Sequence, residues 1–565
     1  MRASRTLHST LISVLMVLMP LAAHAAVTAR LVKDIKPVEN DSYRNLFVTV
    51  DGAIFFVAFR DGTDGLDLWK TDGTESGTIL LKTDVNSDLA AIGNEVYFGA
   101  LDSGNSYLWK CSAADTLPTR MFLLPSGTAA IVSNGGSLFL AETSGDITDL
   151  YATDAPPSST HLVKAGFTQW GDSALAIDGN LFFSANGPSS GDLGLWKSDG
   201  TELGTVLLHA FSSHDPEPQQ FVVFNNQLLF VAGDRYESIG LWSSDGTPSG
   251  TVQISELWAG DWLALLNSSF GVLPPIFLPP VGAELNGAFY FVGNGPDQCG
   301  LWQTDRTQLG TSLVASYGTD ISSLLPVCIK SGGLLYFCLI EFGGSLGSIY
   351  RSDGTPSGTV FVKAIPDGFT WNAIGVDGKL VFEVQPSGAH VHFDLWYSDG
   401  TEAGTTMLRT GMYLGKDWSV IGHTIVFSAH TGSSTEIWAV DLPVVPTADF
   451  TCHPGMGRPP LEVRFTDTSA PGDAPIDSWL WDFGDGITSE EQNPVHVYAS
   501  EGIYDVSLTV TTASGTDSKT LLRLVTVSNA LPSAGSTAVF LLVGSLLIAA
   551  TLGINNWLGS TKISV

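Results

Sequence analysis

An eleven-residue pattern, Leu-Trp-x-[Ser/Thr]-Asp-Gly-Thr-x-x-Gly-Thr, returns along this chain and limits what it can fold into. Clear copies run Leu68 to Thr78, Leu195 to Thr205, Leu241 to Thr251 and Leu395 to Thr405. A fifth copy carries Tyr350 in place of Trp and ends at Thr359, and a sixth, Leu301 to Thr311, has Arg306 where Gly stands elsewhere. Self-similarity of this kind signals stacked copies of one supersecondary unit, none of which can bury its apolar face alone.

Counting aromatic anchors completes the series. Trp69, Trp196, Trp242, Trp302, Tyr350 and Trp396 are joined by worn copies around Trp109, Tyr151 and Trp438, giving gaps of 40, 42, 45, 46, 60, 48, 46 and 42 residues. Each unit reads as four short strands rich in β-branched and aromatic residues, with no competing helical period. The first hairpin turns on pairs such as Asp178-Gly179, Asn225-Asn226, Asn286-Gly287, Gly332-Gly333 and Asp377-Gly378, which supply the positive φ of a two-residue loop. Four strands every ~40–45 residues is the spacing of β-propeller blades. The last unit stops at Val440 without a fourth strand, whereas Thr28-Ala29-Arg30-Leu31-Val32-Lys33-Asp34-Ile35 is such a strand with no unit before it. The expected fold is therefore all-β: a closed propeller of about nine four-stranded repeats over 28–442, whether eight or nine blades being left open.

The recurring turn has two readings. In the first, Asp bonds backbone amides two residues on, Gly takes the left-handed position, Thr bonds back into the loop, and Trp wedges between sheets. Trp69, Trp196, Trp242, Trp302 and Trp396 then carry structure. In the second, Asp72, Asp199, Asp245, Asp353 and Asp399, with Asp305, bind Ca²⁺. Calcium wants six to eight oxygens, and one or two carboxylates per loop is a thin set. No other cofactor is implied.

These units resemble the bacterial Glu-Leu-Trp-x-x-Asp-Gly-Thr-x-x-Gly-Thr repeats, grouped with hyalin-like repeat proteins, over about residues 29–442. The resemblance implies a secreted or surface protein with no common activity. Sialidase Asp boxes place Trp after the turn rather than before it, and nothing here supplies the site of a quinoprotein dehydrogenase.

A proline-bearing linker, 443–446, leads into a second block. Ala448-Asp449-Phe450, Val463 to Ser469, Trp479-Leu480-Trp481-Asp482-Phe483-Gly484-Asp485-Gly486, Asn493 to Tyr498 and Gly502 to Val510 are similar to a polycystic-kidney-disease (PKD) domain across 447–528. The resemblance implies an immunoglobulin-like β-sandwich used as a spacer or as a carbohydrate- or protein-contacting module. Trp481 occupies the core-aromatic position, and Asp482, Gly484, Asp485 and Gly486 make the following turn. Tyr504, Val506, Leu508 and Val510 alternate with polar residues as a half-buried strand does.

The ends set the compartment. Arg2 and Arg5 precede an apolar run, and Ala23-His24-Ala25 is a cleavage site, so 1–25 reads as a secretory signal peptide. Within 529–565, Ala538–Ile554 is an apolar stretch of 17 residues followed by Lys562, read as a transmembrane helix at the lower limit of length. The competing reading is a sorting tail, since Leu531-Pro532-Ser533-Ala534-Gly535 is shaped like a sortase signal without its Thr. With 57 acidic against 26 basic residues and a net charge of −31, nucleic acid and anionic membrane surfaces are excluded as partners. Five cysteines offer one pairing, Cys328 with Cys338 across a hairpin. His390 and His392 lack a third ligand for zinc. The proline-rich insertion Leu263–Gly282 stretches one unit and suggests a lip for a partner or, equally, a simple cover over one propeller face. The expected function is a non-catalytic adhesion protein of the cell surface or envelope, anchored at its C-terminus, a propeller head on a PKD stalk that meets a surface glycan or protein. The alternative is an exported propeller enzyme acting on carbohydrate, because a fold of this kind hosts both.

Overall fold

Alternating apolar and polar residues, interrupted by Gly, Asn and Asp pairs, put the chain into antiparallel strands, and among the described residues there is no helix. The computed structural model describes residues 27–35, 47–59, 65–154, 156–188, 193–211, 218–234, 238–255, 282–294, 298–317, 328–340, 346–366, 368–386, 392–430 and 435–529. The segment 1–25 read as a signal peptide, the apolar segment 538–554, His390 and nearly all of the insertion 263–282 lie outside them. No helix among the described residues is long and apolar enough to cross a membrane. The chain divides into two compact units at Leu442 and Pro443.

The first unit, Val27–Leu442, consists of four-stranded blades. Among the described residues five stand alone as sheets, and two seven-stranded sheets are each a pair of blades sharing one long strand, which makes nine blades. The strand Ile79–Ile92 pairs backward through Leu66↔Val85 and Lys70↔Ile79, then forward through Val85↔Ala100 and Ile92↔Glu95. Thr406–Ile421 does the same between its neighbours. We number the blades 1 to 9 by their anchors Trp69, Trp109, Tyr151, Trp196, Trp242, Trp302, Tyr350, Trp396 and Trp438.

Blade 9 is completed from the other end of the chain. The strand Ala29–Asp34 pairs on Thr435–Asp441 with Ala29↔Val440 and Asp34↔Glu436. Blade 9 then packs on blade 1, where Val32, Val426, Ile437 and Ala439 meet Ile54 and Phe56. Arg30 bonds Asp441 at 2.6 Å and donates to the Gly73 carbonyl at 2.9 Å, and Lys33 donates to the Thr78 carbonyl at 2.7 Å. The hydroxyls of Thr49 and Ser419 meet across the same seam at 2.5 Å. This is the closed β-propeller arrangement, and among the described residues each blade packs on a neighbour at either side.

The second unit is a sandwich. Phe450–His453, Leu461–Asp467 and Val495–Tyr498 form one sheet, and Met456–Gly457, Gly515–Val527, Gly502–Thr512, Ile476–Asp482 and Thr488–Ser489 form the other. Between them lies a core of Phe450, Val463, Phe465, Trp481, Tyr498, Val506, Leu508 and Val510.

The Cys328–Cys338 pairing does not form, and none of the five cysteines is in a disulfide. Cys328 pairs opposite Phe337 in the ladder, so Cys338 is one residue out of step and points to the other face. Cys328 enters the seam between blades 6 and 7, and Cys338 the seam between 7 and 8. Burial pushes the Cys111, Cys299 and Cys328 thiols up to about 12, which leaves them inert as nucleophiles.

Candidate functional site

The repeat residues occupy two places, the seams between blades and the turns at one end of them. Nine apolar clusters among the described residues fill the nine seams, and each anchor lies in the seam with the preceding blade. Trp69 packs between blades 9 and 1, Trp196 between 3 and 4, Trp242 between 4 and 5, Trp302 between 5 and 6, and Trp396 between 7 and 8. Across the ladder each anchor faces a residue of its own second strand, and in eight blades that residue is Phe: Phe56, Phe98, Phe183, Phe230, Phe291, Phe337, Phe382 and Phe427. Sequence reasoning found the Trp column and missed this Phe column, whose spacing from Trp drifts with loop length. Stacking such as Phe183 on Trp196, centroids 6.5 Å apart at 21°, adds roughly 0.5–1.5 kcal/mol beyond the area buried. The indole N–H of Trp196, Trp242 and Trp302 is satisfied by a carbonyl of the adjacent strand at 3.0–3.1 Å.

The turns share one geometry. In blade 5, Asp245 Oδ1 accepts the Thr247 amide at 2.9 Å and its hydroxyl at 2.7 Å, and the Gly250 amide donates to Thr247 Oγ1 at 3.0 Å. Thr251 Oγ1 donates to the Thr247 carbonyl at 2.8 Å and meets Ser244 Oγ at 2.7 Å. Gly246 takes φ +85°. Asp72, Asp199, Asp305, Asp353 and Asp399 make the same pair of bonds to their own Thr. The Thr hydroxyl, and then its amide, hold the carboxyls of Asp245 and Asp353 below the usual range; at Asp72 and Asp199 the hydroxyl dominates and outweighs burial. With the folded value depressed, that contribution is present at neutral pH and is lost as pH falls through it.

Calcium does not fit this donor set. Asp72, Asp199, Asp245, Asp353 and Asp399 sit one to a turn in separate blades, each with Oδ1 already accepting two bonds. Among the described residues no three His, Cys, Asp or Glu converge as metal ligands, and His392 stands exposed.

The second Gly of the motif is required by space. A Cβ at Gly250 would lie 2.1 Å from Asp245 Oδ1. Gly250→Ala is expected to expel the carboxylate from the turn and cost about 2 kcal/mol, at about one per hydrogen bond lost. Asp245→Asn keeps an acceptor but not the charge that these bonds favour, and is expected to lose less than Gly250→Ala, as urea midpoints would show; equal losses in both would mean that an uncharged oxygen does not hold the turn. Arg306 holds φ +81° where the other turns have Gly, and its Nε is buried without a partner. Arg306→Gly is expected to gain about 1 kcal/mol by relieving a left-handed side-chain residue, read by thermal denaturation; Cζ lies 5.9 Å from the Phe224 ring, a weak cation–π pair that the change gives up.

In the sandwich, Trp481 is fully enclosed by Phe450, Phe465 and Phe483, and its indole donates to the Glu491 carbonyl at 2.9 Å. Asp482 Oδ1 accepts the Gly484 amide at 2.9 Å, and Asp485 Oδ1 accepts the Ile487 amide at 3.1 Å. Gly484 has φ +80° and a Cβ there would meet the Asp505 carbonyl at 2.2 Å, whereas Gly486, at φ +88°, faces open space. The turn is tied to the core through His496, which bonds Asp485 Oδ2 at 2.8 Å and stacks on Phe483 at 4.2 Å.

Comparison with known proteins bears on this second unit. Collagenase ColQ1 of Bacillus cereus (strain Q1) is 56% identical over 54 residues, 10% of this chain and 6% of its own length. Pre-pro-metalloprotease PrtV of Vibrio cholerae is 43% identical over 83 residues, 14% of this chain and 9% of its own. The crystal structure of the PKD1 domain of the Vibrio cholerae metalloprotease PrtV is 38% identical, covers 14% of this chain and 93% of that domain, and has a TM-score of 0.13. The chain thus spans less than a tenth of the curated relatives it matches. The sequence profile of the PKD domain matches residues 444–527, and that stretch of the chain is a PKD domain.

Proposed function

We propose that this is an exported binding protein, its propeller engaging a glycan or protein at a cell surface and its PKD domain serving as a spacer. The observation that supports it is how the repeat uses its recurring residues: Trp fills seams and Asp, Gly and Thr close turns, so the ring is a rigid frame. Specificity then belongs to the connecting segments, which differ from blade to blade, as it does in other scaffolds that carry variable loops. The net charge of −31 favours a neutral or basic ligand over nucleic acid. We group the repeats with the hyalin-like Glu-Leu-Trp-x-x-Asp-Gly-Thr family, and place the protein at the envelope, held by its apolar C-terminal segment. The test is a glycan and surface-protein array probed with residues 26–529. Retention of a ligand without product release supports the reading, and turnover of a polysaccharide replaces it with the carbohydrate-processing enzyme.

A further inference from the structure

One buried carboxyl breaks the repeat. The residue after the Phe column points into the following seam, and eight blades place Val57, Gly99, Ala141, Ser184, Val231, Val292, Cys338 and Ser428 there. Blade 8 places Glu383, which is 6% exposed and has no hydrogen-bond or ionic partner among the described residues. It faces Leu395, Phe427, Ala429 and Trp438 in the seam with blade 9, the blade that the N-terminal strand completes.

The other titratable groups at this seam have partners of their own, among them His423 of blade 9, which bonds Asp377 of blade 8 at 2.6 Å at the turn end of the seam. Arg409 of blade 8 lies over the Trp438 ring at 4.2 Å, and Glu436 of blade 9 accepts the Trp438 indole N–H at 2.9 Å. Tyr397 packs in the same cluster, and its hydroxyl is pushed up by burial. Lys379 is buried four residues before Glu383. The side chains at 366–371, on the strand paired alongside Glu383, and at 413–417 and 430 lie outside the described set. Blade 8 carries a second buried polar group without a partner, the Trp396 indole N–H, which in blades 4, 5 and 6 finds a carbonyl.

We propose that the seam between blades 8 and 9 is a proton-dependent latch, closed while Glu383 keeps its proton and loosened when the proton is withdrawn. An uncompensated carboxylate in an apolar seam is costly, and the cheaper state is the neutral acid. Burial pushes this carboxyl up to about 8 from an ordinary 4.5. The sign follows: between those values the opened seam has released the proton and the closed seam has kept it. Opening is then favoured up to tenfold per pH unit, and the effect levels off above the upper value.

Hydrogen exchange of the whole protein from pH 5.5 to 8.5, corrected for intrinsic rates, tests this. In wild type the protection of Thr424–His430, Thr435–Asp441 and Ala29–Asp34 is expected to fall up to tenfold per pH unit while Leu193–Ser198 stays level. E383Q is expected to abolish that slope, and so is E383L, which restores the apolar residue of blades 1, 5 and 6. A flat profile in wild type, an unchanged slope in E383Q or E383L, or a fall spread evenly over all blades overturns the proposal. The wild-type profile alone decides the matter if both variants fail to fold.

Discussion

Excising Ala29–Asp34 is expected to lower the stability of the propeller by on the order of 5 kcal/mol. The contributions are the ladder to Thr435–Asp441, the Arg30 and Lys33 bonds to blade 1, and the burial of Val32, at about 1 kcal/mol per net hydrogen bond and about 1.5–3 kcal/mol for the apolar side chain. The sum exceeds that figure, and some is recovered by hydration of the freed edge. Blade 9 would be left with three strands and an unpaired edge, a template for association. Urea denaturation and size-exclusion chromatography read both effects, and a synthetic peptide of residues 27–36 added in trans is expected to restore part of the loss. A midpoint equal to that of the intact protein would show that the ring does not depend on this strand.

Trp481→Ala is expected to cost 3–5 kcal/mol, the range for deleting a fully buried aromatic. Three aromatic rings lose their common neighbour, and the Glu491 carbonyl loses its donor. Because Leu461–Asp467 and Gly502–Thr512 share that core, their amides are expected to exchange faster while those of Leu193–Ser198 keep their rates. Trp481→Phe refills part of the volume and is expected to lose about half as much. Uniform acceleration across both compact units would place Trp481 in a role beyond its own core.

Much of the propeller was legible because its physics repeats. The Trp spacing marks the seams, since a side chain of that size must be buried at the same place in each copy. The Thr28 to Ile35 segment was recognisable as a strand lacking its unit, and the ladder shows where it pairs. The blade count remained open from sequence because two shared strands hide the boundaries that a loop would mark. The Phe column was hidden for a related reason: its partner lies across a hairpin of variable length, and residue spacing cannot align it. Proximity of Cys328 and Cys338 on neighbouring strands does not reveal parity, and one residue of register turns Cys338 to the opposite seam.

At the turns, composition offered the right atoms and left the choice between a cation and the chain's own amides open. The geometry decides it, since Thr at the second position after Asp delivers two donors to one oxygen. Glu383 was invisible for the opposite reason. An acidic residue in a strand normally reads as solvent-facing, and only the stacking of blade 9 shows that this one is buried.

The two shared strands also bear on where this chain can be cut and rejoined. Blades 1 and 2, and blades 8 and 9, are spliced through continuous backbone at Val85 and near Met412, so a break there would sever a ladder on both sides at once. Circular permutants opened inside Ile79–Ile92 or Thr406–Ile421 should therefore fail. The exposed tips at Leu203 and Leu309 leave every ladder whole and are the places to graft a foreign epitope or a new pair of ends.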